Sequence, residues 1–134
     1  MKTFYDDVRE FRAKFQLNDV IVDETTMWDE VRKKAIHMDE ERSELIDALF
    51  SQKLGRHDAA DAIVDLIYVL CGMAAILEIP LNECWRRVHE ANLKKQRVTS
   101  AQESKRNDPF DLRKPDDWSP PSFDDLMKKE FPFS

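Results

Sequence analysis

The longest apolar segment of the chain runs from Ala62 to Leu77, where sixteen consecutive residues include a single acid, Asp65. A helix that is apolar on nearly every side is typical of the centre of a helical bundle. Sixteen residues are rather short to span a membrane. The pattern therefore predicts a central helix with Asp65 deep among apolar side chains, where a carboxylate is costly unless it is paired or bound to a cation.

Acidic side chains recur along one face of this helix. Asp58, Asp61 and Asp65 are spaced i, i+3, i+7 and share one helical face. Like charges on one face repel one another unless a cation lies between them. The preceding predicted helix has a second acidic turn, formed by Glu40, Glu41 and Glu44. Two acidic turns in one helical hairpin indicate a site for a divalent metal ion.

The remaining apolar periodicity predicts three further helices. Phe4, Val8 and Phe11 recur at helical spacing within residues 3–16, and a long helix follows from about Met27 to Gln52. Residues 16–25 read as a loop, in which Thr25 or Thr26 can cap the long helix. Gly55 ends the connection between the two hairpin helices. After Pro80, Asn82 can cap a fourth helix through Gln96, with an apolar side formed by Cys84, Trp85, Val88 and Leu93.

Composition changes after Val98. Residues 99–121 are polar and contain prolines, which predicts an irregular arm that Trp118 anchors to the bundle. Ser122-x-x-Asp125 is a capping-box pattern for a last short helix. We expect one domain, with a helical part at residues 1–98 and the arm with its terminal helix at residues 99–134. The predicted fold is all-α, a four- to five-helix bundle around the central acidic helical hairpin.

Charge and cysteine content restrict the function and the compartment. The net charge of -6 argues against a binder of nucleic acid or of an anionic membrane, since both need clustered basic residues. Cys71 and Cys84 fall in apolar runs and are interpreted as buried, reduced thiols. The N-terminal MKTFYDDVREF lacks the apolar core of a signal peptide. We therefore expect a cytoplasmic protein.

Four motifs together suggest a family: EERSEL at 40–45, DAIVDLIYVLCGMA at 61–74, VHEANLKK at 88–95 and KPDDWSPP at 114–121. The combination resembles the all-α nucleoside triphosphate pyrophosphohydrolases. This MazG-like superfamily includes dimeric dUTPases, dCTP pyrophosphatases and phosphoribosyl-ATP pyrophosphohydrolases. Its signature is Glu-x-x-Glu on one helix and Glu-x-x-Asp on the next. Glu41, Glu44 and Asp65 match, but Ala62 stands at the position of one signature acid, and we expect Asp61 to replace it.

The resemblance implies a magnesium-dependent hydrolase, with manganese as a substitute metal, that converts a (d)NTP to the (d)NMP and pyrophosphate. It implies metal binding by Glu41, Glu44, Asp61 and Asp65, and catalytic roles for Glu40 and Glu41. It assigns substrate contacts to Asn92, Lys94 and Lys95. Asp58 and His37 are expected around this site, whereas His57 is interpreted as a surface residue.

Two alternatives remain open at this point. One is phosphoribosyl-ATP hydrolysis, which is the same chemistry on a larger substrate. The other is a non-enzymatic helical interaction module whose acidic face is only an interface. In either case so continuous an apolar helix needs a partner to bury it, so we expect an obligate homo-oligomer, a homodimer or a tetramer. The expected ligand is a small-molecule nucleoside triphosphate, with no nucleic acid and no membrane as partners.

Overall fold

Within residues 1–50 and 55–127 of the computed structural model, the chain forms four α-helices and one two-stranded antiparallel ribbon. The helices are α1 (Phe4–Lys14), α2 (Glu24–Phe50), α3 (Arg56–Ile76) and α4 (Leu81–Leu93). Strand β1 (Gln96–Arg97) pairs with β2 (Leu112–Arg113), and short 3-10 helices span Leu17–Val20 and Ala101–Glu103. The predicted all-α fold is therefore confirmed. Residues 51–54 and 128–134 lie outside the described residues, and so does the predicted end of the second helix at Gln52.

The first residues of α1 and α2 show which side chains cap these helices. Thr3 and Asp6 form a capping box at α1, because the Thr3 hydroxyl accepts from the Asp6 N–H at 3.1 Å and the Asp6 carboxylate accepts from the Thr3 N–H at 3.0 Å. α2 begins earlier than predicted, at Glu24. The Asp23 carboxylate accepts from the Thr26 N–H at 2.7 Å, so the cap is Asp23 rather than a threonine. The predicted loop before it also contains a 3-10 helix.

The described chain separates into two compact units, one from residue 1 to residue 81 and one from residue 82 to residue 127. In the first unit a buried cluster joins α1 to α3 through Tyr5, Val8, Cys71 and Ala74. The Tyr5 hydroxyl donates to the Ile79 carbonyl at 2.8 Å and links α1 to the turn after α3. α2 packs against α3 as the second arm of the hairpin. The predicted single domain, with a helical part at residues 1–98 and an arm after it, stays a prediction.

The second unit consists of α4, the ribbon and the arm. The Trp118 indole donates to the Ala91 carbonyl at 2.6 Å, so this tryptophan anchors the arm to α4 as predicted. Arg87 of α4 binds the Asp125 carboxylate through both of its terminal nitrogens, at 2.6 and 2.8 Å. The predicted last helix is wrong over residues 122–127, where residues 124–126 form a turn, because the Asp125 side chain pairs with Arg87 instead of capping a helix. Asn82 lies inside the first turn of α4, which begins at Leu81.

The prediction that α3 is buried at the centre of the bundle holds for only part of the helix. Its second half is buried at Val69, Cys71 and Ile76, but Val64 in its first half is 57% exposed. Asp65 is likewise exposed instead of lying among apolar side chains. α3 spans 21 residues and is longer than the apolar run. By length and composition alone it could cross a membrane, but the core helix of a soluble protein can be equally long and apolar. On α4, Trp85 is exposed rather than buried in a core.

Candidate active site

The contact of Lys34 with Gly72 sets the level at which the two hairpin helices face each other. A Cβ atom built on Gly72 would lie 3.5 Å from the Lys34 Cε atom. Glu41 follows Lys34 by seven residues and Asp65 precedes Gly72 by seven, so in an antiparallel hairpin each lies about 10.5 Å along its helix from that contact. The acids predicted from sequence therefore occur at matching levels of α2 and α3.

The acids on α2 differ in their surroundings. The Glu41 side chain is only 15% exposed, and its Oε1 atom lies 3.3 Å from His37 Nε2, with which it forms an ion pair when the histidine is protonated. Glu40 and Glu44 are exposed. Glu41 is thus the most enclosed acid of the predicted set on α2, and His37 is its immediate neighbour, as expected from the one-turn spacing.

The acids at the start of α3 lie around His57, which the sequence pattern indicates as a surface residue. His57 Nδ1 lies 3.6 Å from an Asp61 carboxylate oxygen and 3.8 Å from one of Asp58. All three side chains are largely exposed. The i, i+4 spacing of His57 and Asp61 was visible in the sequence, and this spacing brings side chains together on a helix. His57 is therefore a further candidate at this end of the hairpin.

The donor set can be tested against the metal ion that the family resemblance implies. Carboxylate oxygens are the ligands that Mg²⁺ prefers, so the donor type fits. Within residues 1–50 and 55–127 of the single chain, no three His, Cys, Asp or Glu side chains come together in a group that could hold a metal ion. Metal binding by Glu41, Glu44, Asp61 and Asp65 stays a prediction.

The substrate residues predicted from VHEANLKK belong to the second unit. Asn92 and Lys94 are exposed. The Lys95 ammonium lies 5.5 Å from the centre of the Trp118 ring, and the Lys114 ammonium lies 4.9 Å from it, so two cations contact one indole. Lys114 and Trp118 both come from KPDDWSPP, which links this motif physically to Lys95.

Comparison with known families supports the resemblance carried by these motifs. The family model described as phosphoribosyl-ATP pyrophosphohydrolase matches residues 8–92, well over half of the chain. The match includes every predicted metal-binding acid and Asn92, and it ends before Lys94, Lys95 and the arm. No curated protein and no solved structure matches the chain.

Proposed function

The chain belongs to the phosphoribosyl-ATP pyrophosphohydrolase family, and on this basis we propose that it hydrolyses a nucleoside triphosphate to the monophosphate and pyrophosphate. The match over the acidic hairpin is the observation on which the proposal rests. A pyrophosphohydrolase-type function, on a phosphoric anhydride bond, follows from the family itself. The reading as a non-enzymatic module loses support accordingly, because that reading took the acidic hairpin to be only an interface.

Two substrates share the required triphosphate. The description of the matched family favours phosphoribosyl-ATP. The KPDDWSPP segment favours a canonical or modified (d)NTP by resemblance, and it lies outside the matched residues. Both substrates undergo the same reaction, in which water cleaves the anhydride link between the α- and β-phosphates and releases a monophosphate and pyrophosphate. Only a comparison of the two as substrates separates them.

Glu41 is the side chain that we assign as base. A general base must hold a carboxylate where it can receive the proton of the attacking water, and it contributes about 10²- to 10⁴-fold to the rate. Glu41 is partly enclosed and lies beside His37, which can orient it. Glu40 is the exposed alternative. The proposed roles of Asn92, Lys94 and Lys95 in binding the substrate rest on the VHEANLKK resemblance alone.

Magnesium, or manganese in its place, is part of the proposal through the donor chemistry of Glu41, Glu44, Asp61 and Asp65. When bound, a divalent cation would offset the charge of the phosphate oxygens. A second copy of the chain is also part of the proposal. Exposed apolar side chains of α3 would be removed from water in a homodimer or tetramer. They are Ile63, Val64, Tyr68 and Leu70.

The proposed activity is tested by incubating the folded protein with Mg²⁺ and, in parallel, with phosphoribosyl-ATP and with a panel of NTPs and dNTPs. Release of pyrophosphate and a monophosphate product supports it, and the panel identifies the substrate. Release of diphosphate and phosphate, or no turnover of any substrate, would contradict it. Repeating the assay with Mn²⁺ and with a chelator tests the metal requirement separately.

The assignment of Glu41 is tested by Glu41→Gln, which should lower kcat by about 100-fold or more. A matched control is Glu30→Gln, since Glu30 lies on the same helix, is 23% exposed and is paired with Lys33. The control should retain activity near that of the parent protein. Circular dichroism of both variants must show the parental helix content, and near-normal turnover by Glu41→Gln would refute the assignment.

A further inference from the structure

The first unit contains an open groove of about 790 Å³ where α1 meets the end of α3. Its lining includes Tyr5, Arg9, Arg12, Asn18 and Glu78. Ala75 and Ile76 of α3 also line the groove. Ala75 follows Asp65 by ten residues, which corresponds to about 15 Å along a helix. The groove is thus separate from the acidic face assigned to hydrolysis, and its own chemistry is independent of that function.

Arg12 is an uncommon residue to find on the wall of such a groove. It is 4% exposed, and its hydrogen bonds to Asn18 and Leu17 go to neutral acceptors. Its Nε donates to Asn18 Oδ1 at 3.0 Å, and a terminal nitrogen donates to the Leu17 carbonyl at 3.5 Å. Arg12 forms no ion pair with any carboxylate of residues 1–50 and 55–127. Buried charges are normally paired. Among the described residues the acid that acts electrostatically on Arg12 is Glu30, and Glu30 is itself in an ion pair with Lys33.

The neighbouring charges increase the excess of positive charge. Arg9 lies 5.8 Å from the centre of the Tyr5 ring and also has no ion pair with the part of the chain that the structure describes. Burial and the nearby Arg12 lower the pKa of Lys34, and Glu30 opposes this shift, so one more cation and one acid are close to this point. Cations gathered in this way repel one another unless an anion lies among them.

The acids that line the groove do little to balance these cations. Asp6 accepts the Thr3 N–H in the capping box of α1, and Glu10 forms an ion pair with Lys2. Glu78 is the third acid of the lining. It lies just after α3 and has a backbone φ of 53°. Within residues 1–50 and 55–127, Glu78 is thus the lining acid without such an engagement, and Glu30 beside Arg12 is engaged by Lys33. The imbalance favours an anionic ligand.

We propose that this groove binds a small oxyanion, such as the phosphate group of a small molecule, between Arg9 and Arg12. A guanidinium offers several donors in a planar fork that matches the oxygens of a phosphate. The amide nitrogen of Asn18 is a further donor, because the oxygen of that side chain already accepts from Arg12. Ile79 and Pro80 on the wall offer apolar contact to the remainder of an organic phosphate.

The test is a titration followed by NMR, in which the side-chain signals of Arg9, Arg12 and Asn18 are observed at constant ionic strength. The probes are inorganic phosphate, pyrophosphate and AMP, and sodium chloride serves as the screening control. Saturable shifts of these signals with phosphate support the proposal. Tighter binding of AMP supports it and adds contacts to the organic part, and equal binding supports recognition of the phosphate alone. Shifts that do not saturate, or that chloride reproduces, would overturn it.

Two variants make the test specific. Arg9→Gln removes an exposed charge without disturbing the hydrogen bonds of Arg12, and it should weaken phosphate binding about tenfold. Lys14→Gln removes an equal charge from α1 outside the groove lining and should change binding less than twofold. Equal weakening by both would indicate a general charge effect and overturn the proposal. Loss of the shifts in Glu41→Gln would also overturn it, because the signal would then belong to the acidic face.

Discussion

Replacing Gly72 by alanine should stabilise the protein. Gly72 is buried inside α3, and its backbone φ is negative, so alanine can adopt the same conformation. An added Cβ atom would meet Lys34 Cε at 3.5 Å, Nζ at 3.7 Å and Cδ at 3.9 Å. These are ordinary van der Waals distances to the far end of a flexible side chain. No steric cost therefore opposes the gain in helix propensity.

The expected magnitude follows from the helix propensity. Alanine is favoured over glycine in a helix interior by about 0.8 kcal/mol. Unfolding entropy near 2.1 cal/mol/K per residue gives roughly 0.28 kcal/mol/K for a chain of this length, so Gly72→Ala should raise Tm by about 3 °C. Urea denaturation followed by circular dichroism should show a higher midpoint with an unchanged m-value. Protein concentration is held constant, because association would also stabilise the chain.

Gly55 supplies the matched control. It is the N-cap of α3, with φ at -75° and no atom within 4 Å of an added Cβ. Alanine is a poor N-cap residue, so Gly55→Ala should leave stability unchanged or lower it by a few tenths of a kcal/mol. Of the two substitutions, only Gly72→Ala is therefore expected to stabilise the protein. A loss of more than about 0.5 kcal/mol in Gly72→Ala would refute the reasoning, since it would mean that Lys34 cannot move away.

Three further predictions concern stability, pH and thiol reactivity. Tyr5→Phe removes the hydrogen bond to the Ile79 carbonyl and should lower the free energy of unfolding by about 1 kcal/mol, measured by the same denaturation. Hydrogen bonds from two neighbouring arginines lower the pKa of Glu83 to about 2 from 4.5, so its stabilising contribution is present above about pH 4.5 and is lost as the pH falls towards 2. Glu83→Gln should therefore remove part of the acid-induced loss of stability, measured as Tm against pH. Burial raises the pKa of the Cys71 thiol, so at pH 8 it should react with a thiol reagent more slowly in the folded protein than in urea.

Each of these has an outcome that contradicts it. An equal loss of stability in Tyr68→Phe would show that the Tyr5 effect is not specific to its hydrogen bond, because Tyr68 is 39% exposed. An unchanged dependence of Tm on acid pH in Glu83→Gln would contradict the role of its arginine contacts. Equal reaction rates of Cys71 in the folded and unfolded protein would show that the thiol is accessible.

Local patterns in the sequence were sufficient to predict the four helices α1 to α4. The helical spacing of Phe4, Val8 and Phe11 predicted α1, and Pro80 marked the end of the hairpin because a proline disfavours the helical conformation of the residue before it. Bounds shifted by a few residues where a cap was misassigned, as at Asp23. The last predicted helix failed for a non-local reason, since Asp125 binds Arg87 of α4. A capping pattern depends only on residues close in sequence, so it does not reveal a contact with a distant helix.

For the candidate site, too, the sequence identified some residues and the structure identified others. The sequence alone identified the acids on two consecutive helices, and the family match over residues 8–92 includes them. It also gave the one-turn spacing that places His37 beside Glu41. It did not reveal that His57 lies between Asp58 and Asp61, although the spacing was present. Nothing in the sequence marked Arg12, because a basic residue on an amphipathic helix reads as part of its solvated face.

The sequence by itself thus determined the helical class, the family and the identity of the acidic residues, because each depends on spacing within one segment or on a motif. Tertiary structure decided which half of α3 is buried in the single chain and that Asp65 is exposed. It also decided that Arg12 is buried beside a groove and forms no ion pair with the described part of the chain. Burial and charge compensation depend on side chains that are distant in sequence, so they follow from the packing of whole helices and not from the pattern within one.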